Sequence, residues 1–251
     1  RVKVPTKANF KTVFTAFRNL AATGEIAAFI YEPLVQGANA MRMYDAELLD
    51  GLLAISKTHN IITIADEVMT GFGKTAKNFA SEYMLHHPDI ICMSKALTAG
   101  IAPMALTSCT QKIYEAFCDD EISKGFFHGH TYSANPLACT AASAGIDLLL
   151  SDEIQARILE ISARHLAFEN RIKQHKNVNS TRCLGVIFAL DLYVEMDRYG
   201  RLRDKLYNYF MAEGVFLRPL GNTIYILPPY VISNTELERI YEVIETVLEL
   251  I

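Results

Sequence analysis

The sequence predicts an α/β fold: a large domain at residues 1–150 with a mainly parallel sheet, and a smaller C-terminal α+β domain at residues 151–251. From Ile26 onward, short apolar runs alternate with amphipathic helical segments, which is the pattern of strands joined by helical crossovers. Two of these apolar runs are followed directly by a charged residue, and a third is followed by Ser94 and Lys95. The helix after residue 150 is more polar and resembles a connector, and the pattern changes beyond it, so we place the domain boundary near residue 150.

The first predicted strand of the large domain, Ala27–Tyr31, is a continuous apolar run that ends at Glu32 and Pro33, as is typical of a buried strand. No folded unit is predicted over Arg1–Arg18, and because the first residue is not Met we expect part of a longer protein to lie upstream. Asp45 is suited to cap a helix with an apolar face at Leu48–Leu53. The predicted strands are Ala27–Tyr31, Ile61–Ala65, Ile90–Met93 and Met104–Ser108.

The predicted elements of the smaller domain follow a long helix that begins at Pro136 and ends near Leu150. Ser151 opens a second helix that reaches about Gln174, and the capping box Ser233–Glu236 opens the last helix, whose apolar stripe extends to Ile251. Between them we predict the strands Val178–Arg182, Val186–Leu190, Val215–Arg218 and Tyr225–Leu227, and a helix from about Arg201.

The composition excludes several classes of function. The formal net charge is −4 and no basic block is present, so a nucleic-acid partner is not expected. Every apolar run is shorter than the roughly 20 residues that a membrane-spanning helix needs. Five cysteines without a CxxC pair indicate reduced thiols, no metal site and a cytoplasmic protein.

Charged residues follow three predicted strands: Glu32, Asp66 and Lys95. In an open parallel sheet, ligands bind outside the carboxyl ends of the strands, so these side chains are expected to face one crevice. A single polar residue at a strand end is as often only a surface residue, but three of them, each near glycines, favour a site. A lysine that bonds to an aldehyde and a carboxylate opposite a pyridine nitrogen are the pair that pyridoxal phosphate requires.

Four ordered motifs make this interpretation specific: Tyr31–Gly37, Ala65–Thr75, Pro88–Leu97 and Gly129–Ala138. They resemble consecutive signatures of the class III aminotransferases, and the resemblance runs from about Gly24 to the C-terminus. It implies the fold type I architecture of pyridoxal-phosphate transferases, pyridoxal phosphate as cofactor, and a cytoplasmic homodimer with shared active sites.

The resemblance also implies roles for individual residues. Lys95 matches the lysine that bonds to the cofactor and later moves the substrate proton, and Asp66 matches the partner of the pyridine nitrogen. Val68 is expected to lie against the ring. Thr131 matches the hydroxyl that binds the cofactor phosphate of the neighbouring subunit, although a loop-capping role is its alternative.

Further segments, Val35–Ala38, Met41–Tyr44 and Gly214–Tyr230, are similar to the branch of the family that acts in biotin synthesis. That resemblance implies transamination of 8-amino-7-oxononanoate to 7,8-diaminononanoate, with S-adenosylmethionine as the expected amino donor. It assigns Arg218 to a substrate carboxylate, Tyr225 to the substrate pocket and Glu32 to the neutralisation of Arg218 when no carboxylate is bound.

Three alternatives stay open. Tyr225 is equally suited to be a strand aromatic that packs within the small domain. Another class III aminotransferase acting on an ω-amino acid or a diamine fits the same motifs. Because no glycine- or serine-rich turn between a strand and a helix is suited to hold the cofactor phosphate, a non-catalytic dimerisation or regulatory domain is the third alternative.

Overall fold

The structure, a computed structural model, describes residues 1–194 and 201–250, which form two compact units. The first unit comprises residues 1–36, 43–72 and 78–149; the second comprises residues 37–42, 73–77 and the chain from Leu150 onward. Ile251, predicted to end the last apolar stripe, lies outside the described residues. In chain order the elements are α1 (Phe10–Ala21), β1 (Ala28–Tyr31), β2 (Val35–Gln36), β3 (Arg42–Met43), α2 (Ala46–Thr58), β4 (Ile62–Asp66), β5 (Ile90–Met93), β6 (Leu106–Cys109), α3 (Gln111–Glu115), α4 (Pro136–Leu149), α5 (Asp152–Ile172), β7 (Val178–Leu184), β8 (Ile187–Leu192), α6 (Arg201–Ala212), β9 (Thr223–Ile226) and α7 (Asn234–Leu250).

A four-stranded sheet in the order β1-β4-β5-β6 is the centre of the first unit. The predicted strands are all present within one or two residues of their expected positions. β1, β4 and β5 run parallel, whereas β6 pairs antiparallel with β5. The sheet is therefore mainly parallel, as predicted, with one antiparallel edge strand. No local pattern in the sequence distinguishes that strand from the others.

The N-terminal helix α1 corrects the expectation that Arg1–Arg18 forms no folded unit. Its buried side chains recur at the four-residue spacing of a single helix face. They pack against α2 and the residue that precedes β4, and so form an apolar core in the first unit. That cluster contains Val13, Phe17, Ala21, Leu52, Ile55 and Ile61.

The second unit contains an antiparallel sheet in the order β7-β8-β9 together with α5, α6 and α7. Two predicted caps are confirmed: the Ser151 hydroxyl accepts from Ile154 N at 3.3 Å, and Ser233 and Glu236 exchange the two hydrogen bonds of a capping box. The third, Asp45, lies at the N-cap position of α2, but its side chain makes no capping hydrogen bond. The predicted strand at Val215–Arg218 is wrong, because this segment pairs with no strand of the described chain. In the part of the chain that the structure describes, no helix is both long and apolar enough to cross a membrane.

Two short segments from the first half of the sequence belong to the second unit. Arg182 donates to the carbonyl oxygens of Ala40 and Met41 and forms a bidentate pair with Asp191, with N···O distances of 2.7 and 3.0 Å. Gly185, at φ +58°, lies against the backbone of residues 74–76, where a Cβ atom would overlap main-chain atoms. These contacts explain why residues 37–42 and 73–77 fold with the smaller sheet.

A histidine is buried in the core of the second unit. His165 is fully buried, and its Nδ1 lies 2.7 Å from the Tyr241 hydroxyl while its Nε2 lies 3.2 Å from Val186 O. A carbonyl can only accept, so Nε2 carries the proton and Nδ1 accepts from the tyrosine. Burial lowers the pKa of His165 to about 4, because the charged imidazolium loses its hydration.

The second unit is expected to lose stability below pH 6.5 through His165. The pKa of this group is lower in the folded chain than its ordinary value of 6.5, so protons bind preferentially to the unfolded chain as the pH falls. Between pH 7 and pH 4.5 this linkage amounts to about 2 kcal/mol of unfolding free energy. Urea titrations at the two pH values measure it.

The control for that measurement is His165→Gln, which keeps one acceptor and one donor but does not titrate. The wild-type chain should lose about 2 kcal/mol more than this variant between pH 7 and pH 4.5. Equal losses in both proteins would show that His165 does not titrate as described.

Candidate active site

Three predicted site residues follow or end adjacent parallel strands of the first unit's sheet. Glu32 directly follows β1, Asp66 ends β4, and Lys95 comes two residues after β5. The parallel register sets Tyr31 beside Ala65 and Asp66 beside Cys92, so the three strands end at nearly the same level. Because neighbouring strands lie about 4.8 Å apart, the carboxyl ends of three adjacent strands provide an edge wide enough for a small aromatic ring.

Asp66 is half-buried, and the local backbone holds its carboxylate. Asp66 Oδ1 accepts a hydrogen bond from Val68 N at 3.1 Å, which closes a small turn at the end of β4. A carboxylate has about four lone-pair positions on its two oxygens, so this bond leaves acceptor capacity for a ligand. Val68, predicted to lie against the cofactor ring, is therefore hydrogen-bonded through its backbone to Asp66.

Lys95 is exposed and begins the 3-10 turn Lys95–Thr98 with a φ of +41°. Positive φ is uncommon for a residue other than glycine and persists only where neighbouring contacts maintain it. Two side-chain bonds hold the segment around it: Ser94 Oγ donates to Met104 O at 2.7 Å, and Thr98 Oγ1 donates to Ala102 O at 2.5 Å. The lysine thus projects from a backbone fixed on both sides.

Helix α4 approaches the Lys95–Thr98 turn closely at Gly145. A Cβ atom at this position would lie 3.2 Å from Leu97 O and 3.5 Å from Ala99 N. The absence of a side chain at Gly145 lets the helix backbone rest on the turn that carries Lys95. This glycine was not identified as important from the sequence, because its role depends on a contact between segments about 50 residues apart.

A cavity of about 570 Å³ opens beside β1 and reaches Asp66. Its lining includes Glu32, Gln36 and Tyr44 as well as Tyr31, whose side chain is 8% exposed. The Tyr31 hydroxyl has no hydrogen-bond partner among the described residues. Burial, with a smaller contribution from the Glu67 charge, raises the pKa of Tyr31, so this hydroxyl stays protonated.

Three further predicted site residues belong to other parts of the chain than these strand ends. Thr131 lies in an exposed turn, and no described hydrogen bond joins it to Asp66 or Lys95. Arg218 and Tyr225 belong to the second unit, where Arg218 is exposed and Tyr225 lies on β9 opposite Ala189. Their roles, and the proposed pairing of Glu32 with Arg218, stay predictions.

Glu67 is a buried carboxylate next to Asp66 that the sequence analysis treated only as part of a motif. It is fully buried and accepts four hydrogen bonds, none of them from a cationic group. The signal available in the sequence was an acidic residue inside an otherwise apolar and small-residue segment. Within residues 1–194 and 201–250, no cluster of His, Cys, Asp and Glu has the arrangement of a metal site.

Comparison with known proteins decides the family. Residues 3–248 match the family described as aminotransferase class III. The chain belongs to that family. It is 43% identical over 237 residues to the adenosylmethionine-8-amino-7-oxononanoate aminotransferase of Synechococcus elongatus, with 93% of this chain and 55% of the relative covered. The enzyme of the same name from Geobacter sulfurreducens is 36% identical, with 88% of this chain and 51% of the relative covered.

Solved structures give the same result. The adenosylmethionine-8-amino-7-oxononanoate aminotransferase of Methanocaldococcus jannaschii superposes with a TM-score of 0.84 at 28% identity, with 93% of this chain and 57% of that chain covered. An amine transaminase from an uncultivated Pseudomonas species, in its PLP-bound form, gives a TM-score of 0.88 at 28% identity, with 98% and 57% covered.

These matches confirm the predicted fold class: the α/β architecture is that of the fold type I aminotransferases. The chain spans about half the length of the curated relatives that it matches.

Substituting Gly145 tests the packing of α4 on the lysine turn. Gly145→Val is expected to lower the free energy of unfolding by about 1–3 kcal/mol, because the new side chain must displace the backbone at Leu97 and Ala99. Hydrogen exchange of the backbone amides at residues 96–99 should accelerate in the variant. Chemical denaturation and exchange mass spectrometry measure the two effects.

Ser143→Val is the matched control for Gly145→Val, since Ser143 is exposed on the same helix and receives the same side chain without facing the Lys95–Thr98 turn. The control should change stability by less than about 0.5 kcal/mol. If Gly145→Val behaves like Ser143→Val, the close approach of the helix to the turn is not a constraint.

Proposed function

We propose that the protein is a pyridoxal-phosphate-dependent aminotransferase. The observation that carries the proposal is the position of Asp66 between Glu32 and Lys95 at the ends of adjacent parallel strands, within motifs of the class III family. The residues present fit the cofactor: a half-buried carboxylate with free acceptor capacity lies next to a strand whose end supports an accessible amine. A PLP-bound structure of an amine transaminase with the same fold supports this choice.

Four residues are proposed to hold the cofactor. The Lys95 amine bonds to its aldehyde, the Asp66 carboxylate accepts a hydrogen bond from the ring nitrogen, and Val68 lies against the ring. The Thr131 hydroxyl binds the phosphate of the cofactor in the neighbouring subunit. When bound, pyridoxal phosphate supplies an aldehyde and a ring that withdraws electrons from the substrate carbon.

The chain's own residues then carry out two tasks. The negative charge of Asp66 favours the protonated form of a ring nitrogen, and its bond with Val68 N keeps the carboxylate in one orientation. With the cofactor bound, the Lys95 amine would act as a general acid–base catalyst that moves a proton between the substrate carbon and the cofactor's aldehyde carbon.

The proposed substrate is 8-amino-7-oxononanoate, converted to 7,8-diaminononanoate in biotin synthesis with S-adenosylmethionine as amino donor. Relatives at 33–43% identity that carry the corresponding name support this choice. Arg218 is proposed to bind the substrate carboxylate, since a guanidinium matches two carboxylate oxygens, and Tyr225 to line the substrate pocket. Glu32 is proposed to neutralise Arg218 when no carboxylate is bound.

A second candidate is an aminotransferase that acts on an ω-amino acid or a diamine. The observation that favours it is the likeness to an omega-aminotransferase of Paracoccus denitrificans, with a TM-score of 0.88 at 26% identity. The two candidates share Lys95 and Asp66 and differ in the substrate that receives or gives the amino group.

A cytoplasmic homodimer with shared active sites completes the proposal. Large apolar side chains are exposed on residues 101–137 of the first unit, including Phe127 at 79% and Leu137 at 81% exposure. Contiguous exposed apolar surface is typical of an interface. Thr131 lies within this segment, which is consistent with a phosphate contact made across the two subunits.

Borohydride reduction tests the covalent role of Lys95. In the protein encoded by its complete gene and loaded with pyridoxal phosphate, reduction should leave a stable pyridoxyl group on the peptide that contains Lys95. Peptide mass spectrometry locates the group. Lys95→Ala should carry no such group, and the control Lys112→Ala, on exposed α3, should retain it. A pyridoxyl group that persists in Lys95→Ala contradicts the assignment.

Arg218→Ala separates the two candidate functions. If Arg218 binds the carboxylate of 8-amino-7-oxononanoate, KM for this substrate should rise about tenfold or more, because a charge-assisted pair is lost. The control is Arg203→Ala, whose guanidinium pairs with Asp204 on α6. Unchanged steady-state kinetics in Arg218→Ala would remove the main reason for the biotin substrate and favour the second candidate.

A further inference from the structure

Hydrogen bonds hold the Glu67 side chain on the face of the extended segment opposite to the Asp66 side chain. Its Oε1 accepts from Ser81 N and Ser81 Oγ, both at 2.7 Å, and its Oε2 accepts from Thr70 Oγ1 at 2.6 Å and Ala80 N at 3.1 Å. Burying a carboxylate is costly unless its oxygens are hydrogen-bonded, and here four donors satisfy them. The carboxylate therefore fixes the end of β4 to the 3-10 helix Ala80–Tyr83.

The backbone of Glu67 is fixed as firmly as its side chain. Glu67 N donates to Cys92 O at 2.9 Å, which extends the pairing of β4 with β5 by one bond beyond Asp66. Glu67 O accepts from Gly71 N at 2.9 Å, and a Cβ atom at Gly71 would also lie 2.9 Å from that oxygen. The chain after Asp66 is thus held by its main chain and its side chain together.

Successive side chains of an extended chain point to opposite faces. The burial pattern of residues 62–67 follows this rule, with Thr63, Ala65 and Glu67 buried and Asp66 only partly so. Anchoring the Glu67 side chain on one face consequently fixes the direction of the Asp66 side chain on the other. The turn that supplies Val68 N to Asp66 begins at the same anchored residue.

We propose that Glu67 is a positioning residue for the cofactor: its four hydrogen bonds to Thr70, Ala80 and Ser81 hold the Asp66 carboxylate in the direction that meets the ring nitrogen. This inference rests on the proposed function, in which Asp66 is the partner of that nitrogen. Glu67 itself touches neither cofactor nor substrate.

Glu67→Gln is the informative substitution because the two side chains have nearly the same shape. Ala80 N donates to one oxygen and Ser81 N donates to the other, and a backbone N–H cannot accept. Whichever of the two oxygen positions the new amide nitrogen takes, it faces a backbone N–H, either that of Ala80 or that of Ser81, and that hydrogen bond is lost. The substitution therefore releases one side of the anchor without creating a cavity.

The matched control is Glu82→Gln. Glu82 Oε1 accepts from Phe79 N at 2.8 Å, so this carboxylate also bonds to the start of the 3-10 helix Ala80–Tyr83 but not to the residue beside Asp66. A second variant, Thr70→Val, removes one of the four bonds to Glu67 with a side chain of similar shape. It keeps the proposal testable if Glu67→Gln does not fold.

The experiment measures three quantities in the protein encoded by its complete gene: the Kd of pyridoxal phosphate for the apoprotein, the absorption spectrum of the bound cofactor, and the melting temperature of the apoprotein. Glu67→Gln should raise Kd about tenfold and shift the spectrum toward the form with an unprotonated ring nitrogen. Thr70→Val should raise Kd about threefold, less than Glu67→Gln, because it removes only one of the four hydrogen bonds to the Glu67 carboxylate. Glu82→Gln should leave Kd within about twofold of wild type.

Each outcome is decisive. A lower melting temperature for Glu67→Gln or Thr70→Val, with Kd and spectrum unchanged, would show that Glu67 only stabilises the fold and would overturn the proposal. Asp66→Asn separates this failure from a failure of the proposed function. If Asp66→Asn also leaves Kd and spectrum unchanged, the role of Asp66 is wrong. If Asp66→Asn alters Kd and spectrum while Glu67→Gln and Thr70→Val do not, only the positioning role of Glu67 is wrong.

Discussion

The parallel pairing of β1, β4 and β5 is the constraint on which the candidate site depends. Because the three strands run in the same direction and end at nearly the same level, they bring Glu32, Asp66 and the turn of Lys95 to one edge. A shift of one residue in either register would send Asp66 to the opposite face of the sheet and bury it where Glu67 now lies. Burial alternates along this segment, with Thr63, Ala65 and Glu67 buried and Asp66 only half-buried, so the register determines which side chain is left accessible at the strand end.

Two sets of contacts, made by residues that touch no ligand, hold the segments that carry Lys95 and Asp66. Gly145 lets α4 rest on the turn that follows β5, and Glu67 fixes the turn that follows β4. The contact at Gly145 and the hydrogen bonds of Glu67 stabilise these segments in different ways. The first is a close approach that only a residue without a side chain permits, and the second is a buried carboxylate satisfied by four donors. Catalytic groups need such support, because a small displacement of a positioned group costs much of its effect.

The sequence predicted the elements whose signals are local. Strands such as Ala28–Tyr31 and Ile62–Asp66 are apolar runs that end in charged residues, and these strand ends together with the motifs indicated Glu32, Asp66 and Lys95. Helix α1 was missed although Val13 and Phe17 have helical spacing. The other differences depend on distant contacts. The antiparallel direction of β6, the irregular segment Val215–Arg218, and the anchoring of Glu67 by Ser81 are set by partners that no local pattern reveals.

A crystal structure of the protein, encoded by its complete gene and with pyridoxal phosphate bound, tests the roles of Asp66 and Lys95 most directly. We expect the ring nitrogen within hydrogen-bond distance of the Asp66 carboxylate, continuous electron density between Lys95 Nζ and the aldehyde carbon, and the four hydrogen bonds of Glu67 intact. A cofactor bound elsewhere, or an Asp66 side chain turned away from the ring, would contradict these roles.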